Sequence, residues 1–399
     1  MAIEINIYGT KESAVSFFLD FVVKSKKTNK CSIEVKNFID GNIENAGKQL
    51  FGKKVIFSAD AGKELLNNYT VVATSENAYW EIKRFLELNF GLIEFENFEY
   101  WKTYRKKIAI SFGNCHMEQL KLILQNSNSF SDEYGFYPIK PIYELPESNK
   151  DYYLPATAFE RCSLFLHQAV RKDNSFGFEC SSENLVNKVS GNCQVISVPN
   201  TYNMPKFLFP QSYEDNSCTK NILCNNFHLF RDKYIDENYL SKSVSDLVQM
   251  IEDKSFIKSS VIQDLFCDFS KKIVEREKEW DIKVSNFILS NYKKTNLFLD
   301  PGHPSLTFFV VVASLVLEKM GINFSSSQVE SKNLLSCDSR EMPLYASVFH
   351  SLDLEFSQNK FLRINATTRL NSNPLTIEEY VRQYILWNFW NCPKFLELS

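Results

Sequence analysis

The stretch KKIAISFGNCHMEQLKLILQ, Lys106 to Gln125, decides how this chain is read. Ile108 to Phe112 form a short apolar run that ends in Gly113-Asn114-Cys115, which predicts a strand closed by a turn. Met117, Leu120, Leu122, Ile123 and Leu124 then supply the apolar positions of an amphipathic helix that begins at once. Cys115 therefore stands on a sharp strand-to-helix turn. Gly113 permits a tight backbone there, and the N–H groups of the helix's first turn are suited to stabilise a thiolate or a developing oxyanion. An α/β enzyme places a nucleophile at such a position, whereas the plainer reading of a lone cysteine is a small buried thiol.

A second constellation, NLFLDPGHPS (Asn296 to Ser305), tips the balance toward chemistry. A short apolar strand runs into Asp300-Pro301-Gly302-His303, and Pro304 and Ser305 lead into a long apolar helix. Asp and His three residues apart on one tight turn can point the same way, so the carboxylate fixes the imidazole tautomer while the ring takes a proton. Together the two turns spell Cys115, His303 and Asp300, the residue types of nucleophilic catalysis. Gly302 reads as a backbone requirement of the turn and not as a reacting group.

Composition bounds the alternatives. A chain of 399 residues can hold two domains, and its 44% apolar and 23% charged content is that of a soluble globular protein. The formal net charge of -3 leaves no basic excess to neutralise phosphates, which argues against a nucleic-acid binder. The opening MAIEINIYG reads as a strand without the features of a signal peptide, and a cytoplasmic location is expected. Leu306 to Leu317, the longest apolar run, is too short to span a bilayer and predicts a buried helix. The ten cysteines (31, 115, 162, 180, 193, 218, 224, 267, 337, 392) form no CxxC pair. With five histidines and no HExxH, neither a metal centre nor a disulfide framework is expected. Cys193, in the GNCQ that echoes GNCH, reads as structural because it opens a strand instead of ending one.

Residues 1–103 read as one domain. IEINIYG, the helix Glu12 to Ser25, CSIEVKNFID, KKVIF, YTVVATS, the helix Ala78 to Leu88 and LIEFENF alternate strand and helix, which implies a mainly parallel sheet. The pattern resembles the small Rossmann-like domains attached to bacterial sugar-modifying enzymes. Phe38-Ile39-Asp40-Gly41-Asn42 matches well, but Tyr8-Gly9-Thr10-Lys11-Glu12-Ser13-Ala14 keeps only the first glycine of a dinucleotide fingerprint. Lys11, Glu12 and Ser13 put side chains and a negative charge where a pyrophosphate needs bare backbone, so a structural or docking role is expected. Residues 106–399 read as a larger α/β domain with helical insertions. It holds a Pro-rich surface stretch (Tyr137 to Pro155), the strand Ser163 to Val170, the helix Ser182 to Val189, the strand CQVISVPN, a helical segment from Glu237 to Lys294 and a last helix, Thr376 to Trp390, capped by Thr376. The run Glu275 to Asp281 reads as a solvated helix face.

In order, GNCHMEQL, LHQAVR, VISVPNTYNMPKFLFPQ, EREKEWDIKVSNFILSNYKKTNLF, DPGHPS and LYASVFHSLDLEF make residues 106–385 resemble the WcbI family of capsular polysaccharide biosynthesis proteins. The resemblance implies an SGNH-hydrolase-like three-layer fold with helical insertions, preceded by the small Rossmann-like α/β domain. It implies a coenzyme A-dependent O-acetyltransferase, with acetyl-CoA as co-substrate, no permanently bound cofactor and a glycan acceptor. It further implies Cys115 as nucleophile or its positional equivalent, His303 as general base and Asp300 as its orienter. Gly113, Asn114 and Gln168 would line the oxyanion side of the cleft. For the coenzyme A phosphates the natural donors are Arg171, Lys172 and Lys206, and Tyr202, Phe207 and Phe209 are candidates to pack on a ring. The family's usual Gln after the motif cysteine is His116 here, either a second imidazole that tunes the site or, as is expected, a solvent-facing residue of the first turn. An esterase or thioesterase using the same three residues, and a non-catalytic glycan-assembly protein, are the alternatives. A homo-oligomer or a capsule-assembly complex is compatible with either.

Overall fold

Strand β1 (Ile3–Tyr8) buries Ile5 and Ile7 completely and forms the middle of a six-stranded sheet. This computed structural model describes residues 3–24, 33–201, 210–212, 230–323, 343–356 and 376–391. The other strands of the sheet are β2 (Ile33–Asp40), β3 (Gln49–Leu50), β4 (Lys53–Phe57), β5 (Tyr69–Val72) and β6 (Phe98–Tyr100), in the order β3-β4-β2-β1-β5-β6. All pairings are parallel except the β3–β4 hairpin. Helix α1 (Glu12–Phe17) passes into a π-helical stretch, Phe18–Val23. Helices α2 (Gly62–Asn67) and α3 (Glu76–Phe90) complete the crossovers, α3 starting at a Ser75 cap and ending on left-handed Gly91.

LIEFENF is not the closing strand that its apolar residues predict. The chain turns at Phe95 (φ 64°), the Asn97 side chain accepts the Ile93 N–H, and pairing starts only at Phe98. The turn chemistry of Asn97 outweighs the apolar pattern here.

A second sheet holds β7 (Lys107–Phe112), β8 (Tyr134–Phe136), β9 (Cys162–Gln168) and β10 (Gln194–Val198), ordered β10-β9-β7-β8. Strand β7 runs parallel to both β8 and β9. Ile108 to Phe112 are all buried, as expected for a parallel strand covered on both faces. The fold is therefore mixed α/β with parallel sheets and flanking helices.

The chain divides into two compact units, Met1–Lys121 with Asn128–Ile196, and Leu122–Ser127 with Ser197–Ser399. In the first, one buried cluster joins Tyr79, Trp80 and Tyr100 to Ile110, Phe112, Tyr137 and Phe165. The segment Tyr137 to Pro155, expected at the surface, contributes Tyr137, Ile139, Ile142, Leu145 and Leu154 to this core. Trp80 donates its indole N–H to the Pro138 carbonyl at 2.9 Å, and Tyr137 donates to buried Glu94 at 2.8 Å, so the prolines shape a packed segment and not a surface loop. Glu94 is balanced by Lys83 at 3.0 Å, as a buried carboxylate requires.

The second unit is mainly helical. It contains the antiparallel pair β11 (Pro210–Ser212) and β12 (Phe230–Asp232), helices α6 (Lys233–Asn238), α7 (Val244–Glu252), α8 (Ser259–Arg276) and α9 (Ser285–Asn291), and the pair β13 (Phe298–Asp300) and β14 (His303–Pro304). Helices α10 (Leu306–Lys319), α11 (Ala346–Leu352) and α12 (Ile377–Asn391) follow. α10 buries Phe308, Phe309, Val312, Ala313, Val316 and Leu317. Thr376 and Glu379 cap α12 reciprocally, the Glu379 N–H donating to the Thr376 hydroxyl and the Thr376 N–H to the Glu379 carboxylate. The run Glu275 to Asp281 is more than a solvated face. Glu277 accepts the N–H groups of Val284 and Ser285 at the start of α9, and Asp281 accepts the Ser197 N–H and pairs with Lys319 at 2.9 Å.

In β8, a Cβ built on Gly135 would stand 1.8 Å from the Lys102 carbonyl oxygen and 3.0 Å from Thr103 Cα. Backbone cannot rotate away, so Gly135→Ala should lower stability by about 3 kcal/mol. Gly191→Ala, where nothing lies within 4 Å, should change it by less than about 0.5 kcal/mol. Urea unfolding midpoints of the two variants check the contrast.

Candidate active site

Helix α4 (Cys115–Asn126) starts directly after β7, and the turn between them is fixed by bonds to two separate segments and by bonds of its own. The Asn114 N–H donates to Gln168 Oε1 at 3.0 Å, joining the ends of β7 and β9. The Ile142 N–H donates to the Gly113 carbonyl at 2.9 Å, tying in the 3-10 turn Ile142–Glu144. Within the turn, Asn114 Oδ1 accepts the His116 N–H at 2.9 Å and the Asn114 carbonyl accepts the Met117 N–H at 2.9 Å. A Cβ on residue 113 would lie 2.6 Å from both Gln168 Oε1 and Met117 Cγ, so glycine is required by close approach. Cys115 emerges from this turn half-buried and in no disulfide.

The chain order reverses at this point. β7 is followed by its neighbour β8 on one side, while β9 returns to its other side. Such a switch leaves a crevice at the carboxyl ends of the two central strands, where open α/β sheets bind ligands. Cys115 and Gln168 stand at those two ends.

His116 is buried (4% exposed) and not solvent-facing as expected. The helical phase explains it, because His116 shares the inward face with Met117 and Leu120, while Cys115, Glu118 and Gln119 lie on the half-buried side. Beneath this first part of α4, Lys121 is 5% exposed and pairs with Glu76 at 2.5 Å and with Glu118 at 3.6 Å. Burial pushes the Glu76 carboxyl up, but the Lys121 and Lys102 ammoniums outweigh it and hold it below its ordinary value. Burial raises the Glu118 carboxyl, against the pull of Lys121. These pairs anchor α4 to α3.

Asp300 and His303 come together in the second unit. They oppose each other across the β13–β14 pair, Asp300 fully enclosed at 1% exposed. The Asp300 carboxylate accepts the backbone N–H groups of Gly302 and His303, each at 2.8 Å. Both its oxygens also lie 2.8 Å from His303 Nδ1. A carboxylate only accepts, so Nδ1 carries the proton and the tautomer is set. The ring remains 32% exposed. Cys115, Gly113, Asn114 and Gln168 belong to the first unit and Asp300 and His303 to the second, each group assembled within its own.

Arg171 and Lys172 lie on the exposed loop beyond β9, where Lys172 pairs with Glu183 at 2.7 Å. Lys206, Tyr202, Phe207 and Phe209 lie outside the described residues. Cys193 is half-buried and packs against the core. In the first sheet, Gly9 abuts the end of β5, its Cβ position 2.4 Å from the Ala73 carbonyl oxygen. Asp40 is engaged by the Thr10 hydroxyl and the Asn42 N–H. Among the described residues no helix is long and apolar enough to cross a membrane, and no group of three or more His, Cys, Asp or Glu could hold a metal ion. Sequence reading missed Tyr143, which lies next to the Ile142 link to Gly113, and the buried Lys121.

A family profile described as "Polysaccharide biosynthesis enzyme WcbI" matches residues 108–325, more than half of the chain. A search of curated proteins finds no match. Among solved structures, the fold is similar to that of WcbI, described as a novel polysaccharide biosynthesis enzyme, in its native form without a disulfide bond between coenzyme A and a cysteine. The TM-score is 0.58 at 20% identity, covering 73% of this chain and 92% of that one. At that identity the likeness speaks for the fold.

Gln168→Leu keeps the side chain's bulk but leaves the Asn114 N–H without its acceptor. The turn should lose about 1 kcal/mol of local stability, and the Asn114 amide should exchange with solvent roughly fivefold faster. Hydrogen exchange read by mass spectrometry on the peptide spanning the turn checks this, with unchanged exchange at Asn114 as the contrary result.

Proposed function

This chain belongs to the WcbI family of polysaccharide biosynthesis enzymes, and from that membership we propose that it is an acetyl-CoA-dependent O-acetyltransferase acting on a sugar or polysaccharide. The observation that carries the proposal is the placement of Cys115 at the β7/β9 switch point, on a turn that Gly113, Asn114 and Gln168 hold rigid. The strand order β10-β9-β7-β8, with the nucleophile after the first strand of its sheet, supports an SGNH-like layout for this domain. The description of the WcbI structure speaks of coenzyme A and a cysteine together, which supports coenzyme A as the co-substrate here.

In this reading Asp300 holds the His303 ring through Nδ1, so Nε2 is the nitrogen that exchanges protons. His303 takes the Cys115 proton, the thiolate attacks the thioester, and the same ring then deprotonates the sugar hydroxyl that receives the acetyl group. In a one-step route His303 activates the sugar directly and Cys115 lines the thioester pocket. Arg171 and Lys172, with Lys206, serve as phosphate donors, Lys172 exchanging Glu183 for the ligand. Use of acetyl-CoA fits a cytoplasmic reaction.

The test is to incubate the full chain with acetyl-CoA, with and without a capsule-type glycan, while following coenzyme A release by chromatography. Release that depends on the glycan supports transfer, and equal release without it identifies a hydrolase. Cys115→Ala and His303→Ala should each reduce transfer to background, roughly 10³-fold or more. Asp300→Asn should leave a small residue with an altered pH profile, since the tautomer is no longer set. Retention of near-normal transfer by Cys115→Ala excludes the two-step route, and by His303→Ala the whole assignment.

A further inference from the structure

Three backbone N–H groups of the turn that carries Cys115 are already engaged. The Asn114 N–H goes to Gln168, the His116 N–H to the Asn114 side chain and the Met117 N–H to the Asn114 carbonyl. A tetrahedral oxyanion is stabilised by preorganised donors aimed at it. A side-chain donor beside Cys115 would meet the need.

Tyr143 lies beside the Cys115 turn. It is the middle residue of the 3-10 turn Ile142–Glu144, and the Ile142 N–H to Gly113 bond, 2.9 Å long, clamps this turn onto the Cys115 turn. Its neighbours Ile142 and Leu145 are buried anchors, 6% and 9% exposed, whereas Tyr143 itself is 52% exposed. Among the described residues its hydroxyl has no hydrogen-bond partner. We infer that the Tyr143 hydroxyl donates the hydrogen bond that holds the carbonyl oxygen of an acyl thioester while the Cys115 sulfur attacks it. The inference rests on the reading of Cys115 as the nucleophile.

The electrostatics suit the role. Burial first, then the neighbouring Cys115, Glu144 and Glu118, push the phenol up to about 12, so at neutral pH it is an O–H donor and not a phenolate. In the step, the thiolate lone pair forms a C–S bond to the thioester carbonyl carbon, and the C=O π pair moves onto oxygen. That oxyanion takes the Tyr143 hydrogen bond. Collapse restores the C=O bond and breaks the bond to the coenzyme A sulfur, which leaves as a thiolate. One thioester replaces another, and nothing is oxidised or reduced.

Two reactions of the same sulfur separate this role from others in the full-length Tyr143→Phe variant. Acetylation of Cys115 by acetyl-CoA passes through an oxyanion, whereas alkylation by iodoacetamide displaces iodide at a saturated carbon and forms none. Rapid-quench mass spectrometry should show acetylation slowed about 100-fold and alkylation changed by less than about twofold. Acetylation within about threefold of wild type overturns the inference and leaves the nucleophile reading intact. Equal slowing of both reactions also overturns it, because Tyr143 would then act on the thiol. Cys115→Ala run in parallel tests the underlying reading separately, since undiminished acetyl transfer by that variant removes the nucleophile itself.

Discussion

No side chain larger than hydrogen fits at position 113, and the first unit's part of the site is organised around that constraint. The glycine lets Gln168 approach the backbone closely enough to accept the Asn114 N–H, and that bond fastens the ends of β7 and β9 across the point where the chain order reverses. The Gly113 carbonyl then receives Ile142, which brings a third segment to the same turn. Cys115 inherits its position from these contacts, with few degrees of freedom left. Preorganisation of this kind is what a nucleophile needs, because a fixed sulfur loses little entropy on attack.

The Asp300–His303 pair reaches the same end by a shorter path. Its partners are three residues apart, and the carboxylate is saturated by two backbone N–H groups and the ring nitrogen. Enclosing a carboxylate is costly unless its acceptor sites are filled, and here the hairpin fills them from its own backbone. The imidazole is thus oriented by a group that has little alternative geometry available.

These two motifs were legible in the sequence because each is local. A continuous apolar run meeting a helical period locates the Cys115 turn, and the Asp-x-x-His spacing locates the hairpin. Elsewhere the decisive interactions are distant in sequence. His116 reads as a surface residue until the rotational phase of α4 is known, and that phase follows from packing and ion pairs such as Lys121 with Glu76. Tyr143 lies in a Pro-rich stretch that looks like a surface loop. Its relevance comes from one backbone bond to Gly113, made by a residue 29 positions away. LIEFENF has the composition of a strand, but the Asn97 side chain imposes a turn on it.

The continuity between the two sheets of the first unit bears on how such chains can be inherited. Trp80 and Glu94, from the N-terminal hundred residues, hold Pro138 and Tyr137, and the same segment goes on to supply Ile142 to the Gly113 turn. A gene shortened by its first hundred codons would encode a protein with Tyr137, Ile139 and Ile142 stripped of their apolar cover. The N-terminal sheet therefore behaves as foundation masonry for the cysteine turn. Recombination could exchange it only for another domain that offers the same indole and carboxylate to the Pro-rich segment.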